Sequence, residues 1–557
     1  MRNKFKGGLV ATAFVLVAST GVMAIPAVVS SSSAGAATQV PLNLANEQGE
    51  LWSCAFNPFV PTSSPYSVGL TYETLDFVDS LQSGKVTPWL ASAYAWSNNN
   101  QTLTFTIRPG VKWSDGKPFS AADVAYTFNL LKKFPALDVN AVWSVLKSVA
   151  QKGSNQVVFN FSTPAVPYFY YVAGQVPIVP EHLWSKIKNP VTDAISNPVG
   201  TGGYIMSHCT PQNIQWTANA NYWQKGKAVV QTVNMPAFLS NNTCNEYLAT
   251  GQSQWGSQFI PDIKSYYVDK KAGNTYWFPP VANVSLFPNL KVAPLNNVAV
   301  REAISYAINR QDVSTKGEFG YEPPASQDGI VTPTFSSWTS SAAASKIGTG
   351  YDPAKAESVL KAAGYTKGSN GFFEKDGKEI KLSIITNGGY SDWVADIQIM
   401  AQELNKVGID ATPETPAANT FYADVYAGKY QLAYNAESGG PTPFYEMRQW
   451  LYSKNSAPIG TAASSNWERY DSPAVDTLLN SYDVTTSAAT QKSIVSQLEN
   501  VMVTQYPVIP ILEEVDWFQY NSKEFSGYPT KTNPYAQPGL YNEPDWGYVL
   551  DNLKPLS

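Results

Sequence analysis

The sequence has little of the chemistry that metal centres and many active sites need. Its 557 residues include two histidines, His182 and His208, and three cysteines with no paired CxxC motif. Because zinc and most transition metals select closely spaced imidazole and thiolate ligands, no metal site and no resident cofactor are predicted. The HExxH and GxSxG motifs are also absent. These absences argue against a secreted hydrolase, although the many carboxylates leave a glycosidase pair open.

Long apolar runs are confined to the N-terminus. Three basic residues precede an uncharged apolar run from Gly7 to Ala24, and small residues follow up to Ala37. This order predicts a secretory signal over residues 1–37, with a retained membrane anchor as the alternative. Without this segment Lys+Arg falls from 38 to 35 against 43 Asp+Glu, which leaves a net charge near −8. That balance favours neither nucleic acid nor anionic lipid as a partner.

Aromatic residues are plentiful, and the chain is long. Phe, Trp and Tyr make up 13% of the residues, including 16 Trp and 32 Tyr. A chain of this length is expected to form two or three domains rather than one core. The aromatic content fits either a large core or a cleft that stacks on ligands, because Tyr and Trp combine apolar area with one polar group.

An exported chain meets an oxidising compartment, so its cysteines are candidates for a disulfide. Cys209 and Cys244 lie in one segment of the sequence, and Cys54 lies far from both. We therefore predict a Cys209–Cys244 disulfide and a buried thiol at Cys54.

The clearest local pattern lies between Leu103 and Lys133. Leu103, Phe105 and Ile107 alternate with polar residues, which predicts a strand with one buried face. Two turns follow, and Ser120 is placed to cap a helix with Asp123 three residues later. The apolar spacing after the cap predicts an amphipathic helix.

This stretch resembles the family-5 solute-binding proteins of ABC importers, which include oligopeptide-, dipeptide- and nickel-binding proteins. The family carries R-x-G-V-x-W/F-x-D-G-x-P-x-[ST]-A-x-D-V between a strand and a helix, and the matching residues here are Arg108, Gly110, Val111, Trp113, Asp115, Gly116, Pro118, Ser120, Ala121, Asp123 and Val124. Residues 296–310 resemble the family's N-D-x-x-V-R-x-A-I-x-x-A-I-D-R. The run that starts at Tyr351-Asp352-Pro353 resembles its Y-D-P-x-K-A.

The resemblance implies an α/β, bilobal periplasmic-binding-protein-like fold of class II type, with mixed sheets, flanking helices and an extra domain. It implies a discontinuous domain I over 38–75, 197–285 and 515–557, an extra domain II over 76–196, and a domain III over 286–514. The implied function is not enzymatic. A secreted, periplasmic or surface-associated monomer would capture oligopeptides between two lobes and deliver them to the permease subunits of an ABC importer.

The resemblance also supplies candidate ligand-binding residues. Tyr434, Asn435 and Glu437 fall where peptide binders carry W-x-A-D, whose Asp pairs with a peptide ammonium. Glu437 could equally accept hydrogen bonds from a sugar or be an exposed loop acid. The further candidates are Asn57, Phe59, Trp255, Trp277 and Trp467.

Three functions stay open on the sequence alone. The runs around Trp255 and Trp277 resemble the branch of the family that includes oligosaccharide binders, so an oligosaccharide of the cello or xylo type is the alternative to an oligopeptide. A secreted hydrolase is the second function, and a surface adhesin or chaperone-like peptide holder is the third.

Overall fold

A computed structural model of the chain describes residues 40–46, 49–60, 66–340, 350–437 and 439–556. The predicted signal over residues 1–37 lies outside these ranges. Within them, strands and helices alternate along most of the chain, so the predicted mixed α/β class is confirmed. No helix of the described residues combines the length and the apolarity needed to cross a bilayer.

A seven-stranded sheet is assembled from distant parts of the sequence. Its central strand Leu42–Ala45 pairs in parallel with a strand on each side, and the remaining pairs are antiparallel. In spatial order the strands are Asn274–Tyr276, Gln519–Asn521, Trp255–Gly256, Leu42–Ala45, Thr232–Pro236, Asn213–Ala218 and Tyr204–Thr210.

A five-stranded sheet forms the second half of the molecule. Its strands are, in spatial order, Asp410–Glu414, Lys381–Ile385, Leu432–Ala436, Pro280–Pro288 and Ile509–Val515. The first three run parallel to one another, and the last two pairings are antiparallel. The chain passes between this sheet and the seven-stranded sheet through two short segments, 277–279 and 516–518.

A four-stranded antiparallel sheet contains the strand that the alternation of Leu103, Phe105 and Ile107 predicts. Its strands are Ala91–Ser97, Thr102–Ile107, Gln156–Phe161 and Leu146–Lys152. Leu103, Phe105 and Ile107 are buried as their alternation predicts. The helix Ala121–Lys133 follows, and Ser120 and Asp123 form the predicted capping box. The alternation of apolar residues and the capping residues therefore account for this strand and for the start of this helix.

Smaller sheets and the helices complete the structure. The small sheets are Asp76–Asp79 with Lys85–Pro88, Phe525–Ser526 with Lys554–Pro555, and Thr366–Lys367, Phe373–Lys375 and Lys378–Glu379 together. The α-helices of the described ranges are Ala121–Lys133, Glu181–Trp184, Asn241–Ala249, Ile263–Tyr266, Val298–Ala307, Arg310–Lys316, Pro353–Ala362, Ser391–Val407, Ala418–Ala427, Pro443–Leu451, Pro473–Val484, Ala488–Gln505 and Asp545–Asn552.

The predicted disulfide is wrong. The structure joins Cys54 to Cys209, with 155 residues of sequence separation and a Cα–Cα distance of 5.9 Å. The Trp52 N–H donates to the Pro211 carbonyl at 2.9 Å, and this bond holds the N-terminal loop against the end of strand Tyr204–Thr210. Cys244 lies on helix Asn241–Ala249 and is buried in a separate apolar cluster. Proximity in the sequence was misleading because the sheet brings the distant loop to Cys209.

Candidate functional site

A cavity of about 760 Å³ lies between the seven-stranded and five-stranded sheets. Ser257, Gln258 and Phe259 reach it just after strand Trp255–Gly256. The opposite wall comes from the end of strand Leu432–Ala436 in the other sheet. A cavity of this size between two halves of a molecule is the usual setting of a small-molecule site.

The described residues of the lining are mainly aromatic and polar, and none of their side chains is basic. The described lining residues include eleven aromatic side chains, eight amides and six carboxylates, and none of them is lysine, arginine or histidine. The aromatic residues are Trp52, Tyr66, Tyr170, Phe259, Tyr390, Trp393, Tyr422, Tyr426, Trp467, Trp517 and Tyr541; the amides are Asn46, Gln175, Asn241, Gln258, Asn419, Asn435, Gln537 and Asn542; the carboxylates are Glu50, Asp392, Glu437, Glu514, Glu543 and Asp545.

Glu437 is a buried carboxyl group of the cavity wall that lacks a hydrogen-bond partner among the described residues. Side chains alternate along strand Leu432–Ala436, so Asn435 and Glu437 reach the cavity while Tyr434 points into the core. Glu437 is 5% exposed, and neither carboxylate oxygen has a hydrogen-bond partner among the described residues. Burial, together with the nearby Glu468 carboxylate, raises the pKa of Glu437 well above its ordinary value. A buried carboxyl group without hydrogen bonds lowers the stability of the folded protein unless a partner in the cavity forms hydrogen bonds with it.

Two further buried polar atoms of the lining lack hydrogen-bond partners within the described part of the chain. They are the indole Nε1 of Trp467 and the amide oxygen Oε1 of Gln258. The Gln258 amide nitrogen donates to Asn245, which fixes the orientation in which Oε1 is presented. With Glu437, the wall thus offers one N–H donor, one amide acceptor and one carboxyl group to a ligand.

Burial raises the pKa values of all five other carboxyl groups of the described lining, Glu50, Asp392, Glu514, Glu543 and Asp545. Burial raises the pKa of Asp392 to about 6, and burial with the neighbouring Asp516 raises that of Glu514 to about 8. Burial raises the pKa of Glu543 to about 7, although the backbone N–H groups of Tyr66 and Val68 donate to this carboxylate. Near neutral pH Glu514 and Glu543 can therefore be protonated, so they can donate as well as accept hydrogen bonds.

A direct contact joins the two walls at one end of the cavity. Asn241 begins the helix beside the seven-stranded sheet, and its side-chain Nδ2 donates to Asp392 Oδ1 at 3.1 Å and to Ser391 Oγ at 3.3 Å. Its backbone N–H donates to the Gly389 carbonyl at 3.4 Å. Ser391 and Asp392 begin the helix that packs on the five-stranded sheet. Asn241 therefore holds the two walls together.

Of the eight predicted ligand-binding residues, the structure brings Asn435, Glu437 and Trp467 to the cavity. Tyr434 lies outside the lining, and its hydroxyl donates to Asp396 at 2.9 Å. The side chain of Asn57 donates to the carbonyls of Pro190 and Asp193, so it fixes a loop.

The other three predicted residues also lie outside the lining. Phe59 packs edge-on against Trp184, with 5.6 Å between ring centroids. Trp255 is fully buried, and its indole N–H donates to the Pro538 carbonyl at 3.0 Å. Trp277 packs against the core beside the seven-stranded sheet.

The sequence reasoning missed most of the cavity wall. Tyr170 and Gln175 reach it from a short π-helical segment, Tyr170–Gln175. Such segments are rare and occur frequently at functional sites, but their sequences carry no simple period. Among the described residues, no group of three or more His, Cys, Asp or Glu side chains is arranged to hold a metal ion.

Comparison with known sequences assigns the chain to a family. Residues 85–458 match the family described as bacterial extracellular solute-binding proteins, family 5, middle region. The nickel-binding periplasmic protein of Escherichia coli (strain K12) is 25% identical over 470 residues, which cover 80% of this chain and 85% of that protein. The oligopeptide-binding protein OppA of Bacillus subtilis (strain 168) is 25% identical over 476 residues, or 81% of this chain and 83% of OppA.

Solved structures share the fold over nearly the whole chain. A periplasmic oligopeptide-binding protein of an ABC transporter from Thermotoga maritima, crystallised with mannohexaose, has a TM-score of 0.85 and 28% identity, and the match covers 92% of this chain and 98% of that one. DppA from Helicobacter pylori, in complex with the peptide STSA, has a TM-score of 0.76 at 20% identity, covering 93% and 98%.

These likenesses confirm the periplasmic-binding-protein fold that the motifs imply. The family match spans more than half of the chain and includes the strand, turns and capped helix on which the resemblance rests. The protein therefore belongs to the bacterial extracellular solute-binding proteins of family 5, and its role is to bind a solute.

Proposed function

We propose that this protein is the extracytoplasmic substrate-binding component of an ABC importer and that it captures an oligosaccharide in the cavity between the two sheets. The observation that carries the choice of ligand is the chemistry of the lining: aromatic rings, amides and carboxyl groups, with no basic side chain among the described lining residues. Aromatic rings pack against the apolar faces of sugar rings, while amides and carboxyl groups exchange hydrogen bonds with hydroxyls.

The electrostatics of the wall support a neutral ligand. The raised pKa values of Glu514, about 8, and Glu543, about 7, allow these two carboxyl groups of the wall to be uncharged near neutral pH. An oligopeptide brings a terminal carboxylate, and no described lining residue would neutralise it by a direct ion pair. The relative from Thermotoga maritima that was crystallised with mannohexaose provides independent support for an oligosaccharide as the ligand.

An oligopeptide is the second candidate, and Glu437 is the observation that favours it. Its buried carboxylate stands where peptide binders of the family place an acid, and it has no partner among the described residues. A peptide ammonium would satisfy it and would offset the cost of its burial.

Titration calorimetry on the purified protein separates the candidates. We expect neutral cello-, xylo- or manno-oligosaccharides to bind and a matched panel of di- to octapeptides to give no heat of binding. Binding of peptides alone would reject the oligosaccharide.

A uronate provides a sharper test of the same chemistry. An acidic oligosaccharide of the same linkage and length as the neutral ligand is expected to bind on the order of a hundredfold more weakly, because its carboxylates would be desolvated in a cavity whose described lining residues offer no positive charge. The measurement is the ratio of the two dissociation constants at constant ionic strength. Equal constants would contradict the proposed role of the lining.

The contact made by Asn241 leads to a kinetic prediction. Asn241→Ala removes the side-chain hydrogen bonds to Ser391 and Asp392, so the ligand is expected to dissociate roughly five- to tenfold faster with little change in the association rate. Stopped-flow tryptophan fluorescence measures both rates. Replacing the exposed neighbour Asn242 with Ala is the matched control, and equal dissociation rates in the two variants would refute the role of Asn241.

The remaining expectations from the sequence fit this proposal. The three main sheets support the three predicted domains, although strand Pro280–Pro288 runs across the boundary at 285. The domains are domain I over 38–75, 197–285 and 515–557, domain II over 76–196, and domain III over 286–514.

A monomer outside the cytoplasm would hand the unaltered ligand to permease subunits. Incubation that leaves an oligosaccharide uncleaved would support binding without catalysis.

A further inference from the structure

Phe319 combines two features that are unfavourable in a folded protein. Its side chain is 52% exposed, and its backbone has a φ of +53°, a left-handed conformation that residues other than glycine rarely adopt. The turn is nevertheless well fixed, because the Gly320 N–H donates to the Ser314 carbonyl at 2.8 Å and the Tyr321 N–H donates to the Glu318 carbonyl at 2.9 Å. Conformations of this kind concentrate at functional sites.

The Phe319 ring is continuous with the wall of the cavity. Its centroid lies 6.0 Å from that of Phe259, which lines the cavity. Phe259 lies in turn 5.7 Å from Trp517, another lining residue. These contacts form a path of packed rings from the cavity lining to the surface, and Phe319 is its exposed end.

Tyr321 supports the outer end of this path. Its ring is nearly parallel to that of Phe319, with 16° between the planes and 6.4 Å between the centroids. The Tyr321 hydroxyl accepts a hydrogen bond from the Ile263 N–H at 3.0 Å, which ties the turn to the half of the molecule that carries Phe259. The exposed ring is therefore held by a fixed turn next to Phe259 of the cavity lining.

We propose that Phe319 forms an outer subsite that stacks against one sugar ring of an oligosaccharide whose other residues fill the cavity. This inference rests on the proposed function. The occupant is the protruding end of the same ligand, because Phe259 belongs both to the cavity lining and to the aromatic path. Phe319 would then determine ligand length: it adds affinity only when the oligosaccharide is long enough to leave the cavity.

The test compares ligands of increasing length in matched variants. For the linkage that binds, calorimetry with oligosaccharides of two to eight residues gives the affinity of the wild type, Phe319→Ala and Phe319→Tyr. We expect Phe319→Ala to lose roughly three- to tenfold in affinity for the longest ligands and nothing for the shortest, because one aromatic contact is lost. Phe319→Tyr keeps a ring and should retain the wild-type dependence on length.

Two control variants show whether a loss of affinity arises from reduced stability or from the loss of any exposed aromatic ring. Phe319→Gly removes the same ring contacts as Phe319→Ala but relieves the left-handed backbone, so its melting temperature should equal or exceed that of Phe319→Ala while the two variants have the same affinity. Tyr351→Ala alters another exposed ring, 43% exposed and outside the cavity lining, and should not change affinity at any length.

The outcomes distinguish the subsite from the function on which it rests. A loss of affinity that is independent of length, or no loss at all, overturns the outer subsite while oligosaccharide binding stands. If the wild type binds no oligosaccharide of any length, the proposed function fails and the subsite fails with it.

Discussion

Replacing Glu437 with alanine is expected to weaken ligand binding roughly ten- to a hundredfold without destabilising the protein. The carboxyl group is buried in the cavity wall and has no partner in the described part of the chain, so its hydrogen bonds are available to a ligand. Removing a buried carboxyl group that has no hydrogen-bond partner also removes an unfavourable contribution to the free energy of folding of the unliganded protein. Calorimetry gives the affinity, and thermal unfolding without ligand should show equal or higher stability.

Glu437→Gln distinguishes the two candidate ligands. An amide still accepts and donates hydrogen bonds, so a neutral oligosaccharide should lose no more than about fivefold in affinity. A peptide ammonium would lose its counter-charge in a buried site, and its affinity should fall by more than about a hundredfold. An unchanged peptide dissociation constant would refute the role of Glu437 as an ammonium anchor.

The matched control for Glu437 is Glu414. It ends strand Asp410–Glu414 of the same sheet, but it is exposed and lies outside the cavity lining. Glu414→Ala should therefore leave affinity unchanged. Equal losses in the Glu414 and Glu437 variants would show that the effect arises from the net charge of the protein and not from the site.

Breaking the Cys54–Cys209 disulfide is expected to cost about 2–5 kcal/mol of stability, because the bond restricts a long loop in the unfolded chain. The double variant Cys54→Ser/Cys209→Ser should unfold at a lower denaturant concentration than the wild type. Its transition should be insensitive to a reducing agent, whereas that of the wild type should shift on reduction.

Cys244 provides the internal control for this pairing. Cys244→Ser retains the Cys54–Cys209 bond, so its unfolding should still respond to the reducing agent. If Cys244→Ser abolished that response and Cys54→Ser preserved it, the pairing would be Cys209–Cys244 and the observed topology of the loop would be contradicted.

The elements that the sequence predicted well are those whose cause is local. Helix Pro353–Ala362 begins at its Asp352 cap, and helix Ser391–Val407 ends at Gly408, whose φ is +95°. Strands Lys381–Ile385 and Asp410–Glu414 pair in parallel, and that second helix forms the crossover connection between them. Each of these features depends on side chains within one element or on its immediate neighbours.

The candidate site could be predicted only in part because it is assembled from distant segments. Asn435 and Glu437 were found by their place in a family motif, and strand alternation then brings both to the cavity. The same reasoning suggested Trp255, which lies in the core, because the sequence around a tryptophan does not reveal which face of a short strand is buried. The Cys54–Cys209 pairing likewise depends on sheet topology, which local patterns do not encode.

Small-angle X-ray scattering of the purified protein, titrated with the oligosaccharide that binds in calorimetry, tests the central claim most directly. If two halves close around an unaltered solute, the radius of gyration should fall on binding to a single compact value, and mass spectrometry should recover the ligand intact. Scattering that is unchanged by a bound ligand, or recovery of a cleaved one, would contradict the account.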